Sequence, residues 1–234
     1  MQIEIFDVLP STNDMARARA IEGAPHLFTV QAKAQSDGRG RRGRCFLSPV
    51  GGTYFSTVLR PSIPRENYGV IPPVAALLVR RALLRAAGIS TDIKWVNDLL
   101  LAEKKLAGLL ALSGVDRTGR PFAVLGVGIN TGGTVPAEIA ALACAIHYPD
   151  TTALVREIVT ELAALDSLLA TGEWLAEYRA NASLLGKEIT VYEGGSVRHA
   201  TALDILPDGA LQIREADGRI TALTGDEITL RRTN

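Results

Sequence analysis

The chain is short of the residues that cross-link a fold or hold a metal. Only two cysteines occur in 234 residues, Cys45 and Cys144. Neither has a CxxC partner, so a disulfide framework and a cysteine-based structural zinc site are excluded. Both are expected to be reduced thiols of a cytoplasmic protein. The three histidines, His26, His147 and His199, are scattered, and no cluster of carboxylates marks a metal site, so none is expected. Charge of one sign is also missing: 25 Lys+Arg balance 25 Asp+Glu. This argues against a bulk nucleic-acid or membrane-surface binder and leaves only local patches to consider. No apolar run reaches the ~18 residues of a membrane span. The opening MQIEIFDVLPSTND has acidic residues in its apolar run and no basic start, so it does not read as a signal peptide. Repeats and low-complexity segments are absent. With 47% hydrophobic and 21% charged residues the composition is globular. The length fits one to two domains and a full core without staples.

Periodicity and turn residues divide the chain. Residues 2–9 read as a short strand. Ser11-x-x-Asp14 has the form of a capping box, placing a helix over MARARAIE that Gly23 terminates. LFTVQAKA (27–34) reads as a strand, 35–52 as a loop rich in Gly and Arg, and TYFSTVLR (53–60) as a strand closed by Pro61. A helix is expected over 73–87, entered by prolines and ended by Gly88. DIKWV reads as a strand, NDLLLAEKKLAG as a turn and hairpin, and FAVLGVGIN (122–130) as an apolar strand central in a sheet. Leu154, Ile158, Leu162, Leu165 and Leu169 recur at helical spacing, so 152–170 reads as an amphipathic helix ending near Gly172, with a second over EWLAEYRANAS. From Gly186 the period changes to two. Ile189/Val191, Leu203/Ile205, Leu211/Ile213 and Ile228/Leu230 alternate with polar residues. Turn signals at Gly194-Gly195, Pro207-Asp208-Gly209, Asp217-Gly218 and Gly225-Asp226 separate them. The expected organisation is an α/β-mixed domain over 1–183 and a small all-β barrel over 184–234.

Three segments carry chemistry. Gly38-Arg39-Gly40-Arg41-Arg42-Gly43-Arg44 fits G-x-G-x-x-G, but Pro49, Gly51 and Gly52 in the sequel forbid the helix that a dinucleotide site needs. What remains is a glycine-permissive loop with four guanidiniums, suited to bidentate phosphate contact. A solvated basic loop or an RNA-binding patch would look the same. In Lys94-Trp95-Val96-Asn97-Asp98, an extended backbone would send Lys94 and Val96 to one face and Trp95 to the other, leaving Asn97-Asp98 at the strand end. The ordinary alternatives are a plain turn there and a solvated hairpin at Lys104-Lys105. In Gly126-Val127-Gly128-Ile129-Asn130 the glycines leave room for a flat ligand, or for a close strand–helix contact.

Together these segments resemble the biotin protein ligases. GRGRRGR, KWVND, KKLAGLL and GVGIN occur in that family's order and spacing. Ser11-Thr12-Asn13 and Gln35 match positions of its biotin site, and YRANASLLGKEITV with GDEITLR resembles its C-terminal barrel. The resemblance runs from about residue 4 to 232. It implies an α+β fold: a mixed-sheet catalytic domain with flanking helices, of the class II synthetase-like biotin/lipoate ligase type, and an SH3-like small β barrel. It also implies a two-step reaction. Biotin and MgATP give biotinyl-5′-adenylate, and a lysine of a biotin carboxyl carrier domain then displaces AMP. No enzyme nucleophile is needed, since catalysis is positional and electrostatic.

By resemblance, Ser11, Thr12, Asn13 and Gln35 hold the ureido head. Arg39, Gly40 and Arg41 close over biotin and phosphate, with Gly38 and Gly108 in the same substrate set. Lys105 bonds the biotin carboxylate and phosphate oxygens. Lys94 and Asn97 organise phosphates and metal, Trp95 joins the nucleotide set, and Asn130 contacts the adenylate's nucleotide half. Asp98 orients or activates the incoming lysine. Mg²⁺ is implied only by the ATP chemistry. Arg42 and Arg44 are structural or meet the carrier. Three residues depart from the family pattern: Val96 for a usual Pro, Phe46 for a usual Trp and Leu112 for a frequent Glu. None removes a catalytic group. With no room before residue 4 for the DNA-binding helices some members carry, no DNA partner is expected. Homodimerisation occurs in the family, but no stretch here can be assigned to it. A lipoate or octanoate ligase on a related fold is the nearest alternative. An RNA-binding small-barrel protein is another, disfavoured by only 5% aromatics.

Overall fold

A computed structural model describes the chain apart from Gly133, Gly194, Gly195, residues 226–227 and residues 233–234; over 228–232 it describes the backbone alone. Its first sheet is laid down as β1 (Ile3–Leu9), β2 (Thr29–Gln35), β3 (Thr53–Leu59), β4 (Asp92–Lys94), β5 (Asp98–Leu101), β6 (Lys104–Val115) and β7 (Pro121–Ile129). The spatial order is β1-β2-β3-β7-β6-β5-β4, with β1 and β2 parallel and every other neighbour antiparallel. The apolar strand β7 therefore lies at the centre, as its sequence requires of a strand covered on both faces.

Alternation along β7 builds a core on each side. Phe122 and Val124 join Val30, Ala32 and Val58 beneath Ala16 and Ala20 of helix α1 (Thr12–Ile21). Ala123, Leu125, Val127 and Ile129 face the other way, onto the larger core of helix α2 (Ile71–Ala87) and the helices α3 (Thr151–Leu162), α4 (Leu165–Thr171) and α5 (Trp174–Ala180). Prolines in the first turn of α2 lose no intrahelical bond, and Gly88 ends it in the left-handed conformation at φ 66°. A buried guanidinium staples the α1 side. Arg60 donates to Asp116 Oδ2 (2.9 Å), to the α1 carbonyl of Ala20 (3.1 Å) and to Ala24 O (3.0 Å).

The second sheet comprises β8 (Glu188–Glu193), β9 (Ser196–Ile205), β10 (Leu211–Glu215), β11 (Ile220–Leu223) and β12 (Ile228–Arg232). It is antiparallel throughout, in the order β11-β10-β9-β8-β12. The switch to a two-residue period past Gly186 is this sheet. Among the described residues no pairing joins β11 to β12, so the ladder is open rather than a closed barrel. Two of its expected turns, at Gly194-Gly195 and Asp226, lie outside the described residues.

Several local expectations are corrected. Ser11 takes the N-cap position but its side chain makes no capping bond. The Asp14 carboxylate pairs with Arg39 rather than reaching back to Ser11, and a distant residue satisfies another first-turn donor: the Thr12 N–H donates to Gln35 Oε1 (2.8 Å). The helix expected over 152–170 is two, α3 and α4, parted at Ala163-Ala164. Leu162 and Leu165 on either side of the break are both fully buried, so the leucine period runs through it unmarked. DIKWV is not one strand: β4 stops at Lys94, and Trp95–Asn97 form a turn. Trp95 and Val96 are consequently both in the core rather than on opposite faces. The hairpin β5–β6 forms as expected around Ala102-Glu103, both at positive φ (49° and 63°), the twist that two-residue hairpin turns need.

Candidate functional site

The site begins where the α1 core runs out. Along the α1 face of β7, Phe122 and Val124 are followed by Gly126 and Gly128, two residues without side chains. Gly108 of β6 pairs directly with Gly128. The result is a floor of bare backbone under a cavity of about 190 Å³. The floor has no room to spare: a Cβ on Gly126 would overlap the Asn13 amide, and one on Gly128 would sit 2.5 Å from the Phe46 ring.

One end of the cavity is neutral and polar. The first turn of α1 presents Thr12 and Asn13, and the end of β2 presents Gln35. Gln35 Oε1 accepts from Thr12 N and Oγ1, and its Nε2 donates to Ser48 Oγ (2.9 Å). The Ser56 hydroxyl lies 2.8 Å from Thr12 Oγ1 and 3.2 Å from Asn13 Oδ1. Thr12, Asn13, Ser48 and Ser56 are buried, Gln35 is half-buried, and all are mutually oriented, so they form a preset array of donors and acceptors.

The other end is charged. Lys105 Nζ, at the start of β6, lies 2.7 Å from Asp98 Oδ1 and 5.7 Å from the centre of the Phe46 ring. Lys94, Arg41, Arg42 and Arg44 complete a cationic rim. Arg41 donates to Asn97 Oδ1 (3.1 Å), and Asn97 donates to the Leu109 carbonyl. Arg39 makes two hydrogen bonds to Asp14 Oδ2 (3.0 and 2.8 Å), which raise the guanidinium pKa further. A wider cleft of about 770 Å³ opens beyond Arg41 and Asn97, between β6, the turn Arg65–Val70 and residues 207–210.

Thr12, Asn13, Gln35, Arg39, Gly40, Arg41, Lys94, Trp95, Asn97, Asp98, Lys105 and Gly108, which lie far apart in sequence, all line the cavity. Ser11, Gly38 and Asn130 do not. Ser11 Oγ is buried with no hydrogen-bond partner. Gly38 folds the loop on itself, where a Cβ would lie 2.6 Å from Ser48 Oγ. Asn130 Nδ2 donates to the Cys144 carbonyl (3.0 Å), fixing the segment after β7. Sequence reasoning placed neither Ser48 nor Ser56, whose hydroxyls hold Gln35 and the Thr12–Asn13 pair; lone serines carry no motif. Phe46 is more than a stand-in for tryptophan, because its ring lies against the glycine floor and anchors the Gly/Arg loop to it.

A floor without side chains, a neutral polar end and a cationic end suit a flat polar head joined to an anion. A model of the Biotin/lipoate A/B protein ligase family matches residues 5–130, more than half of the chain. The chain belongs to this family. Among curated relatives, the bifunctional ligase/repressor BirA of Bacillus subtilis is 39% identical over 125 residues, covering 53% of this chain and 38% of that protein. The match thus spans under half of that relative's length. The biotin–[acetyl-CoA-carboxylase] ligase of Mycobacterium tuberculosis is 30% identical over 98% of this chain and 90% of its own. Among solved structures, the biotin protein ligase of Aquifex aeolicus in complex with biotin and ATP superposes with a TM-score of 0.83 over 99% of each chain at 24% identity. That likeness carries the fold.

Proposed function

We propose that the chain is a biotin protein ligase. The carboxylate of biotin attacks the α-phosphorus of ATP, pyrophosphate leaves, and biotinyl-5′-adenylate forms. The ε-amine of a lysine on a biotin carboxyl carrier domain then attacks the acyl carbon and AMP departs. The observation that carries this reading is the glycine-floored cavity with hydrogen-bonding groups at one end and convergent cations at the other. The M. tuberculosis relative, named for action on acetyl-CoA carboxylase and matched across nearly the whole chain, supports the substrate class.

In this reading the Thr12, Asn13 and Gln35 groups take the ureido ring. Ser11, whose buried hydroxyl lacks a partner, joins them once a ligand is bound. The bare floor accepts the fused rings and the acyl chain. Lys105 meets the carboxylate and then the phosphate as the anhydride forms, where a fixed charge in a water-poor site stabilises the transition state. Arg39, Gly40 and Arg41 close the Gly/Arg loop over the labile adenylate and keep water from it. Lys94 and Asn97 steady the phosphates. Asp98, beside Lys105, receives the carrier amine. Asn130 acts on the nucleotide half through the segment it fixes, and Trp95 through its neighbours.

Mg²⁺ enters as the nucleotide's counter-ion. Among the described residues no group of three or more His, Cys, Asp or Glu side chains could hold an ion, and the cavity's carboxylate Asp98 is engaged by Lys105. The donor set therefore suits an ion carried on phosphate oxygens and water, as Mg²⁺ often is, and no step is assigned to it. We read residues 1–183 as the catalytic domain and 184–234 as a small antiparallel β module of SH3-like type, in a cytoplasmic enzyme.

Mass spectrometry of the protein after incubation with biotin, ATP and Mg²⁺ tests the reading. Retained biotinyl-5′-adenylate supports it. An adenylate formed with lipoate or octanoate but not biotin reassigns the acid. No adenylate with any of these acids refutes the ligase reading.

A further inference from the structure

We infer that Trp95 is a positioning residue for adenylation: its bond to Gly209 in the second sheet holds the 93–98 segment that carries the charged end of the cavity. This rests on the ligase reading above.

A buried indole N–H must find an acceptor, and Trp95 finds it outside its own sheet. Its Nε1 donates to the Gly209 carbonyl at 2.9 Å, a fully buried bond spanning 114 residues of sequence. Gly209 lies in the β9–β10 turn at φ +85°, and a Cβ there would sit 2.9 Å from Pro73 in the first turn of α2. The turn is thus wedged between Trp95 and that helix. Two further contacts grip the same short segment. Ile93 N donates to Asn181 O and Ser183 N donates to Ile93 O, both at 2.8 Å, so the connection leading into β8 runs alongside β4. Val96 packs against Gly225, where a Cβ would come within 3.0 Å of it.

Residues 93, 95 and 96 are held from behind by the second sheet and the chain leading to it. Residues 94, 97 and 98 line the cavity, as does Trp95 itself. Asn97 orients Arg41 and Asp98 orients Lys105, so four cationic or carrier-facing groups depend on one segment whose back is clamped. The biotin end depends on none of these contacts: Thr12, Asn13 and Gln35 are set by α1, β2 and β3. Loosening the clamp should therefore disturb the charged end alone. In a reaction governed by position, a displacement of about 1 Å costs up to about a hundredfold in rate.

The test replaces Trp95 with β-(3-benzothienyl)alanine, which keeps the bicyclic shape and removes only the N–H, alongside Trp95→Phe. Pyrophosphate release at saturating biotin and ATP gives kcat, calorimetry gives the biotin Kd, and thermal unfolding checks the fold. The expected result for both variants is a folded protein with kcat lowered about tenfold and a biotin Kd unchanged within about twofold. Three outcomes overturn the inference. They are an unchanged kcat, a biotin Kd that worsens in step with kcat, and an isosteric variant that does not fold. Wild-type protein is run in parallel. If it makes no adenylate, the ligase reading fails and this inference with it; an active wild type with an unaffected variant overturns the inference alone.

Discussion

Gly126→Ala puts the glycine floor to a quantitative test. A methyl group at this position would overlap Asn13 Nδ2 and lie 2.7 Å from Oδ1 and 2.8 Å from Cγ. Ordinary carbon contacts begin near 3.5 Å, so the amide has to retreat by about 1 Å. Asn13 is only 5% exposed, which leaves it little room. Overpacking of this kind costs about 1–3 kcal/mol, and weakening the Ser56–Asn13 hydrogen bond adds about 1 kcal/mol. Together these are about 2–4 kcal/mol, so at about 1.4 kcal/mol per tenfold the biotin Kd should rise roughly 30- to 700-fold. Alanine keeps the β7 backbone, and Lys105, Lys94 and Arg41 lie at the other end of the cavity. The kcat for adenylation at saturating biotin should therefore stay within about twofold of wild type. Calorimetric titration with biotin and a pyrophosphate-release assay measure the two quantities separately. A folded Gly126→Ala protein that binds biotin with wild-type affinity would refute the assignment of Asn13 to the ligand and the role given to the bare floor.

Lys105→Gln removes the cation that meets the forming anhydride. Charge-assisted hydrogen bonds are worth about 1.5–3 kcal/mol, so pyrophosphate release should slow about 10- to 100-fold; an unchanged rate would contradict the role. Asp14→Asn weakens the two bonds that tie Arg39 to α1. Adenylate dissociation, followed by fluorescence, is expected to slow about two- to fivefold, in keeping with an exposed ion pair; faster release would show that Asp14 helps the loop close. The Asp116 carboxyl is lowered to about 2, first by the Thr118 hydroxyl and then by the backbone N–H groups of Arg120 and Thr118 and by Arg60. A depressed carboxyl pKa stabilises the fold above the unfolded value near 3.8, and the gain is lost as pH falls towards 2. Thermal unfolding from pH 5 to pH 2 should drop more steeply for wild type than for Asp116→Asn, and parallel curves would disprove the linkage.

Much of this arrangement was legible because its signals are local. An all-apolar run marked β7 as central, prolines and Gly88 bounded α2, and a change of period marked the second sheet. The cavity residues were legible as motifs, because each contributes from a short run of sequence. What stayed hidden depends on contacts between distant segments. The helix start at Ser11 has the letters of a capping box, yet Arg39, more than twenty residues away, takes the Asp14 carboxylate that would have closed it. The α3–α4 break is silent because both pieces bury the same leucine face. Trp95 looks like a strand residue until its indole is seen bonded to Gly209. The hydroxyls of Ser48 and Ser56 gain meaning only when β3 and the Gly/Arg loop come beside α1.

The backbone floor also fixes how the protein can be re-engineered. Where a pocket is lined by side chains, trimming one enlarges it. Gly108, Gly126 and Gly128 have nothing left to trim, and every replacement would only shrink the space or push Asn13, Phe46 or Lys105 aside. Acceptance of bulkier biotin analogues therefore has to be sought in the side walls, at Leu110 or Phe46. A library randomised at the glycines would yield loss of function, while one randomised at those two positions would sample new substrates.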